Sequence, residues 1–145
     1  MLLTDISQIQ LSAEIKSLLA NEITQLNQTI DKHTSSNQEL IKKLAGYVFS
    51  SGGKRIRPIL TLLCSKLLGY NSDLKHIYLA TAVEFIHTAT LLHDDVVDQS
   101  TMRRGCESAN IIWGSKASIL VGDYLFSQAF KLISLCNHTQ TLEIL

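Results

Sequence analysis

Apolar residues return every three or four positions along most of this chain. Leu11, Ile15, Leu18, Leu19, Ile23, Leu26 and Ile30 keep that step and predict an amphipathic helix over residues 11–30. Lys32 to Ser36 reads as a loop. Ser36-Asn37-Gln38-Glu39 has the form of a capping box, whose hydroxyl and carboxylate satisfy free amides at a helix start. Leu40, Ile41, Leu44, Tyr47 and Val48 form the apolar face behind it. Ser50-Ser51-Gly52-Gly53 ends that helix. Pro58, the only proline, suits the first turn of the next, where its missing N–H has no partner to lose. Gly69 closes that helix near Leu68, and Asn71-Ser72 can cap a long helix from about Asp73 to Val97. A loop is expected around Arg104-Gly105, then a helix from Ser115 to about Cys136. No strand-like alternation, repeat or linker interrupts the pattern. The expectation is an all-α fold, one domain of antiparallel helices joined by short loops. The last residues, Thr141-Leu142-Glu143-Ile144-Leu145, are apolar and helix-prone, and read as a chain cut within or just before a helix.

Composition narrows the function. The 145 residues suffice for one core, and 46% hydrophobic against 18% charged residues is a globular balance. Thirteen basic and thirteen acidic residues cancel, so no basic excess points to a nucleic acid partner. No apolar run approaches the roughly 20 residues of a membrane span. The start, MLLTDISQIQLSAEIK, lacks a basic segment followed by an apolar block, so a cytoplasmic location is expected. Cys64, Cys106 and Cys136 are odd in number and far apart, with no CxxC pair, and read as three reduced thiols.

The strongest chemical signal is Leu91-Leu92-His93-Asp94-Asp95-Val96-Val97-Asp98. Asp94 and Asp98 stand one helical turn apart and share a face. Two carboxylates so placed repel each other unless a cation lies between them. Mg²⁺ prefers such hard oxygen ligands and completes its shell with substrate phosphates and water. A lone DxxxD is ordinarily an exposed acidic patch. Here it ends the most apolar helical stretch of the chain, which favours the metal reading. His87 lies two turns before Asp94 on the same face, suited to a phosphate oxygen or to a satisfied core position. His93 falls on another face and reads as structural. His33, His76 and His138 have no supporting context.

Two basic segments flank the aspartates. Gly52-Gly53-Lys54-Arg55-Ile56-Arg57-Pro58 sets three cations in a glycine-bearing loop at a helix N-terminus, where amides and dipole also favour an anion. It is not a P-loop, because GxxxxGK[ST] is absent. Met102-Arg103-Arg104-Gly105 follows the aspartates directly, and arginine forks suit phosphate. Either charge run alone is ordinarily a solvated face. All four arginines of the chain fall in these two segments, and that concentration favours a diphosphate site.

GGKRIRP followed about forty residues later by LLHDDVVDQSTMRRG resembles the trans-isoprenyl (polyprenyl) diphosphate synthases, most closely their long-chain bacterial members. VEFIHTATLLHDDVVD and the downstream SILVGDYLF are similar to the same group, from about Gly46 onward. The resemblance implies an all-helical isoprenoid synthase bundle, usually a homodimer, with Mg²⁺ as cofactor. It implies condensation of isopentenyl diphosphate with an allylic diphosphate to a long all-trans polyprenyl diphosphate, the precursor of a quinone side chain. Asp94, Asp95 and Asp98 match the catalytic aspartates, with Asp94 and Asp98 the metal ligands. Arg103 matches the contact to the allylic diphosphate. Lys54, Arg57, His87 and Arg104 match the isopentenyl diphosphate site. Ala89 and Thr90, both small, match positions where bulk shortens the product. The family chain is about twice as long as this one. Its second aspartate-rich motif and a later Lys-Thr pair have no counterpart here, so residues 1–145 read as the N-terminal portion of one domain, inactive alone. Two other readings stay open: a non-catalytic partner that binds diphosphate, and a terpene cyclase-type lyase. The second basic segment argues against the lyase.

Overall fold

The computed structural model describes residues 13–70 and 73–144. Among them eight helices and one short ribbon form: α1 (Ala13–Leu18), α2 (Ala20–Thr34), α3 (Glu39–Ser50), α4 (Ile56–Leu67), α5 (Lys75–Val97), β1 (Met102–Arg103), β2 (Cys106–Glu107), α6 (Ala109–Trp113), α7 (Ser115–Leu135) and α8 (Thr139–Ile144). The all-α class is as expected. Leu11 and the Asn71-Ser72 cap lie outside the described residues.

The first predicted helix is two. Leu19 leaves helical geometry between α1 and α2, yet its N–H donates to the Ile15 carbonyl at 3.0 Å and its carbonyl accepts from Ile23 at 2.8 Å. The ladder therefore passes through the joint. Lys32–Thr34, expected in a loop, belong to α2, whose last turn is closed by Thr34 Oγ1 donating to the Ile30 carbonyl at 2.9 Å. The capping box does not form. Glu39 is the first helical residue rather than the third, and its carboxylate instead pairs with Lys43 at 2.7 Å. Ser36 Oγ accepts from the Gln38 N–H at 3.1 Å, outside the helix.

Helix α5 is central. It packs against α7, α4 and α2, and its buried residues fall on every side: Ile77, Ala80, Ala82, Phe85, Ala89 and Leu92 among them. A helix buried all round reads as an apolar run, which is why the aspartates at its end stand out. Helix α7 offers it Val121, Gly122, Leu125, Ala129, Leu132 and Ile133 at steps of three and four.

Gly122 is a glycine for a steric reason. The His93 ring lies over it, and a Cβ at 122 would sit 2.6 Å from His93 Cδ2. From there His93 Nε2 donates to the Ile119 carbonyl at 3.2 Å and lies 3.5 Å from Asp123 Oδ1. The aspartate-bearing turn of α5 is thus pinned to α7.

The loop expected at Arg104-Gly105 is a hairpin turn, with Arg103 paired to Cys106 and Met102 to Glu107. Both turn residues have positive φ, 54° and 80°, the requirement of a two-residue turn that matches strand twist. Tyr47 on α3 donates to the Glu107 carbonyl at 2.7 Å and stacks edge-on against Trp113 of α6. Those contacts hold the hairpin beside the C-terminal half of α5. Cys64, Cys106 and Cys136 are free thiols, as expected.

Candidate active site

The loop between α3 and α4, the second half of α5, and the hairpin converge on two adjoining clefts. The larger, about 670 Å³, is lined by Lys54, Arg55, Arg57, Glu84, His87 and Arg104 along with the loop backbone. The smaller, about 270 Å³, shares Arg55, Glu84 and Arg104 and adds Thr88, Asp95 and Arg103. Lys54, Arg57, His87 and Arg104 come from three separate stretches of sequence, and the fold places all four on the larger cleft.

Local backbone geometry presents these cations. Arg55 opens α4 from the left-handed region at φ 44°, which a side chain with a Cβ rarely adopts. Its guanidinium donates to Asn27 Oδ1 on α2. Arg104, also left-handed, donates to the Gly52 carbonyl and lies across Gly53. A Cβ at 53 would sit 2.5 Å from Arg104 Nη1, so this glycine makes room for a guanidinium. Arg57 Nη1 stands 3.2 Å from His87 Nε2. With arginine as donor, Nε2 accepts and the ring proton rests on Nδ1. Burial first, then the positive charges of Arg57, Arg104 and Arg103, lower the His87 pKa and favour this neutral ring.

The three aspartates divide by exposure. Asp95 is 3% exposed and Asp94 and Asp98 are exposed. Asp95 accepts from Arg103 Nε at 3.0 and 3.2 Å and from Arg103 Nη2 as well. That hydrogen bonding, above all, pushes the Arg103 guanidinium further up, with burial opposing and the charges of Asp95, Asp94 and Asp98 assisting. The middle aspartate therefore orients Arg103. Behind it, Asn110 Nδ2 donates to the Asp95 and Ser100 carbonyls at 3.2 and 3.1 Å, tying the end of α5 to α6.

Asp94 and Asp98 have no ion-pair partner within 4.0 Å among the described residues. No set of three or more His, Cys, Asp or Glu side chains able to hold a metal forms among those residues. Two exposed hard carboxylates on one face nonetheless fit Mg²⁺, whose remaining ligands are commonly phosphate oxygens and waters. Ala89 and Thr90 part company. Ala89 is wholly buried in the core, whereas Thr90 is exposed, its Oγ1 donating to the His87 carbonyl at 2.8 Å.

Sequence reasoning passed over Glu84 and the anchoring of Arg55. Glu84 is 6% exposed and lines both clefts. Burial raises its pKa, while Arg55, Arg104 and Arg57 pull it down. The one available signal was a charged residue within the apolar stretch VEFIHTATLL, one turn before His87.

Known proteins resemble this chain in sequence and in fold. The chain is 42% identical over 132 residues to octaprenyl diphosphate synthase of Escherichia coli, covering 91% of this chain and 41% of that protein. Against octaprenyl diphosphate synthase of Haemophilus influenzae the identity is 44% over 132 residues, 91% of this chain and 40% of the relative. The chain thus spans about two fifths of the length of these curated relatives. In solved structures, a decaprenyl diphosphate synthase from Rhodobacter capsulatus superposes with a TM-score of 0.85 at 43% identity, over 90% of this chain and 40% of that one. A polyprenyl synthase from Caulobacter crescentus, complexed with calcium and isoprenyl diphosphate, gives 0.85 at 44% identity, over 90% and 39%. The sequence profile of the polyprenyl synthetase family matches residues 38–145, which include the basic loop, the aspartate turn and the hairpin, and the chain belongs to that family.

Proposed function

We propose that this chain carries the isopentenyl diphosphate cleft and the first metal-binding aspartate face of a long-chain polyprenyl diphosphate synthase. The observation that carries the reading is the convergence of Lys54, Arg57, His87 and Arg104 on one cleft beside the turn bearing Asp94 and Asp98. The octaprenyl relatives support the long-chain class. Four cation-bearing or proton-donating side chains match the oxygens of a diphosphate, and guanidinium forks bind such oxygens at two points.

In the family reaction an allylic diphosphate ionises, and the isopentenyl double bond attacks the resulting cation before a proton is lost. Asp94 and Asp98 would hold Mg²⁺, which supplies positive charge to the departing diphosphate. Arg103, aimed by Asp95, adds a fixed cation on the same side. Lys54, Arg57 and Arg104 would orient the second diphosphate in the larger cleft. His87 offers Nδ1–H, its Nε2 already facing Arg57.

After Asp98 the only acids in the sequence are Glu107, Asp123 and Glu143, so no second aspartate-rich motif is available. We therefore expect this chain alone to bind both diphosphates without turnover. A lyase requires a single diphosphate site, and the basic cleft is a second one.

Calorimetric titration with isopentenyl diphosphate tests the assignment. Arg57→Ala should weaken binding by about 1.5–3 kcal/mol, the range for a hydrogen bond to a charged group. Asp94→Ala should leave it unchanged. Equal affinity of Arg57→Ala and the unaltered chain would reject the cleft assignment.

A further inference from the structure

Glu84 is the one acidic side chain lining the larger cleft, among Lys54, Arg55, Arg57 and Arg104. It also lines the smaller cleft, so it stands at the seam between them. At 6% exposure, it has no hydrogen bond or ion pair to its carboxylate among the described residues. Each arginine nearby is anchored elsewhere: Arg55 on Asn27, Arg57 on His87, Arg104 on the Gly52 carbonyl. Their placement does not depend on the carboxylate. What Glu84 adds to the cleft is its charge.

Four cations around a polyanion bind tightly, and tight binding shows mainly as slow release. A same-sign charge lining the cleft opposes the anion through a medium that screens less than water. We propose that Glu84 sets the affinity of the larger cleft, weakening diphosphate binding enough to keep it exchangeable. The inference rests on the reading of that cleft as a diphosphate site. Burial, the larger effect, raises the Glu84 pKa above the ordinary carboxylate value, and Arg55, Arg104 and Arg57 offset part of that rise.

The test is titration of the 145-residue chain with inorganic pyrophosphate. EDTA keeps metal from the aspartate face, and a pH of about 8 lies well above the ordinary carboxylate range. Glu84→Gln, which keeps the shape and removes the charge, should tighten binding roughly tenfold, the scale of one unit charge a few ångströms away in a partly screened site. Glu84→Ala should shift it in the same direction, and Glu84→Asp should stay close to the unaltered chain. Weaker or unchanged binding in Glu84→Gln, with the circular dichroism spectrum intact, would overturn the proposal and make Glu84 an ordinary structural residue. So would failure of both neutral variants to fold. No pyrophosphate binding by the unaltered chain would overturn the cleft assignment itself, and this inference with it.

Discussion

Arg103 and Arg57 have different kinds of partner, and the difference follows from burial. Arg103 rests on a buried carboxylate, so its charge is matched before any ligand arrives. Arg57 faces a neutral imidazole and keeps its charge unmatched by that contact. His87 bears the cost. Its folded pKa lies below the ordinary 6.5, from burial first and Arg57 next. The unfolded chain therefore binds more protons than the native one as pH falls through 6.5. The stability His87 contributes is present above 6.5 and is lost as pH drops through its folded value. Urea unfolding from about pH 7 to pH 5 should show that loss, and His87→Asn should flatten it. An unchanged slope in the variant would contradict this account of the ring. Residue types were legible in the sequence: Lys54, Arg55, Arg57, His87, Asp95, Arg103 and Arg104 line the clefts. Glu84 was not, because its one local signal, a lone charge within VEFIHTATLL, does not say which cleft it lines. The split of Asp95 from Asp94 and Asp98 required knowing which face of α5 meets the hairpin.

At the scale of elements, the long helices α5 and α7 match the expectation, whereas the stretch expected as one helix over residues 11–30 breaks at Leu19 and runs on to Thr34. α7 buries one face at steps of three and four, and α5 is a long apolar run buried on several sides. The hairpin was read only as a loop, because Arg-Gly is a poorer signal for a left-handed turn than Asn-Gly or Asp-Gly. The five-residue α6 is too short to show a period. The capping box failed by register, since its glutamate already begins α3. The α5–α7 contact makes the sharpest prediction. Gly122→Ala would force its Cβ against the His93 ring and should cost about 1–3 kcal/mol, as overpacking does. Adding His93→Ala should recover much of that loss in a double-mutant cycle by thermal unfolding. Additive losses would show that the ring is not what excludes a side chain there.

Across the whole molecule, the site depends on contacts between distant parts of the chain. The α3–α4 loop reaches α2 through Arg55 and the hairpin through Arg104, and both reach α5 through the clefts. Sequence motifs supplied the parts, but only the fold shows that both clefts share a wall. Apolar side chains also remain outside the core, with Leu67 and Leu68 each 85% exposed and Val97 80% exposed. A groove of about 730 Å³ between α4, α5 and α8 includes Leu60, Leu68 and Leu79. No helix of the described residues is long and apolar enough to cross a membrane.

In the proposed function, two chemically distinct diphosphate sites lie side by side, one built from cations and one from carboxylates. The most direct measurement is titration of this chain with isopentenyl diphosphate and with farnesyl diphosphate as the allylic ligand, each with and without Mg²⁺. Isopentenyl diphosphate should bind without metal, and farnesyl diphosphate binding should strengthen at least tenfold with Mg²⁺ and lose that gain in Asp94→Ala. Farnesyl diphosphate affinity indifferent to Mg²⁺, or to the loss of Asp94, would contradict it.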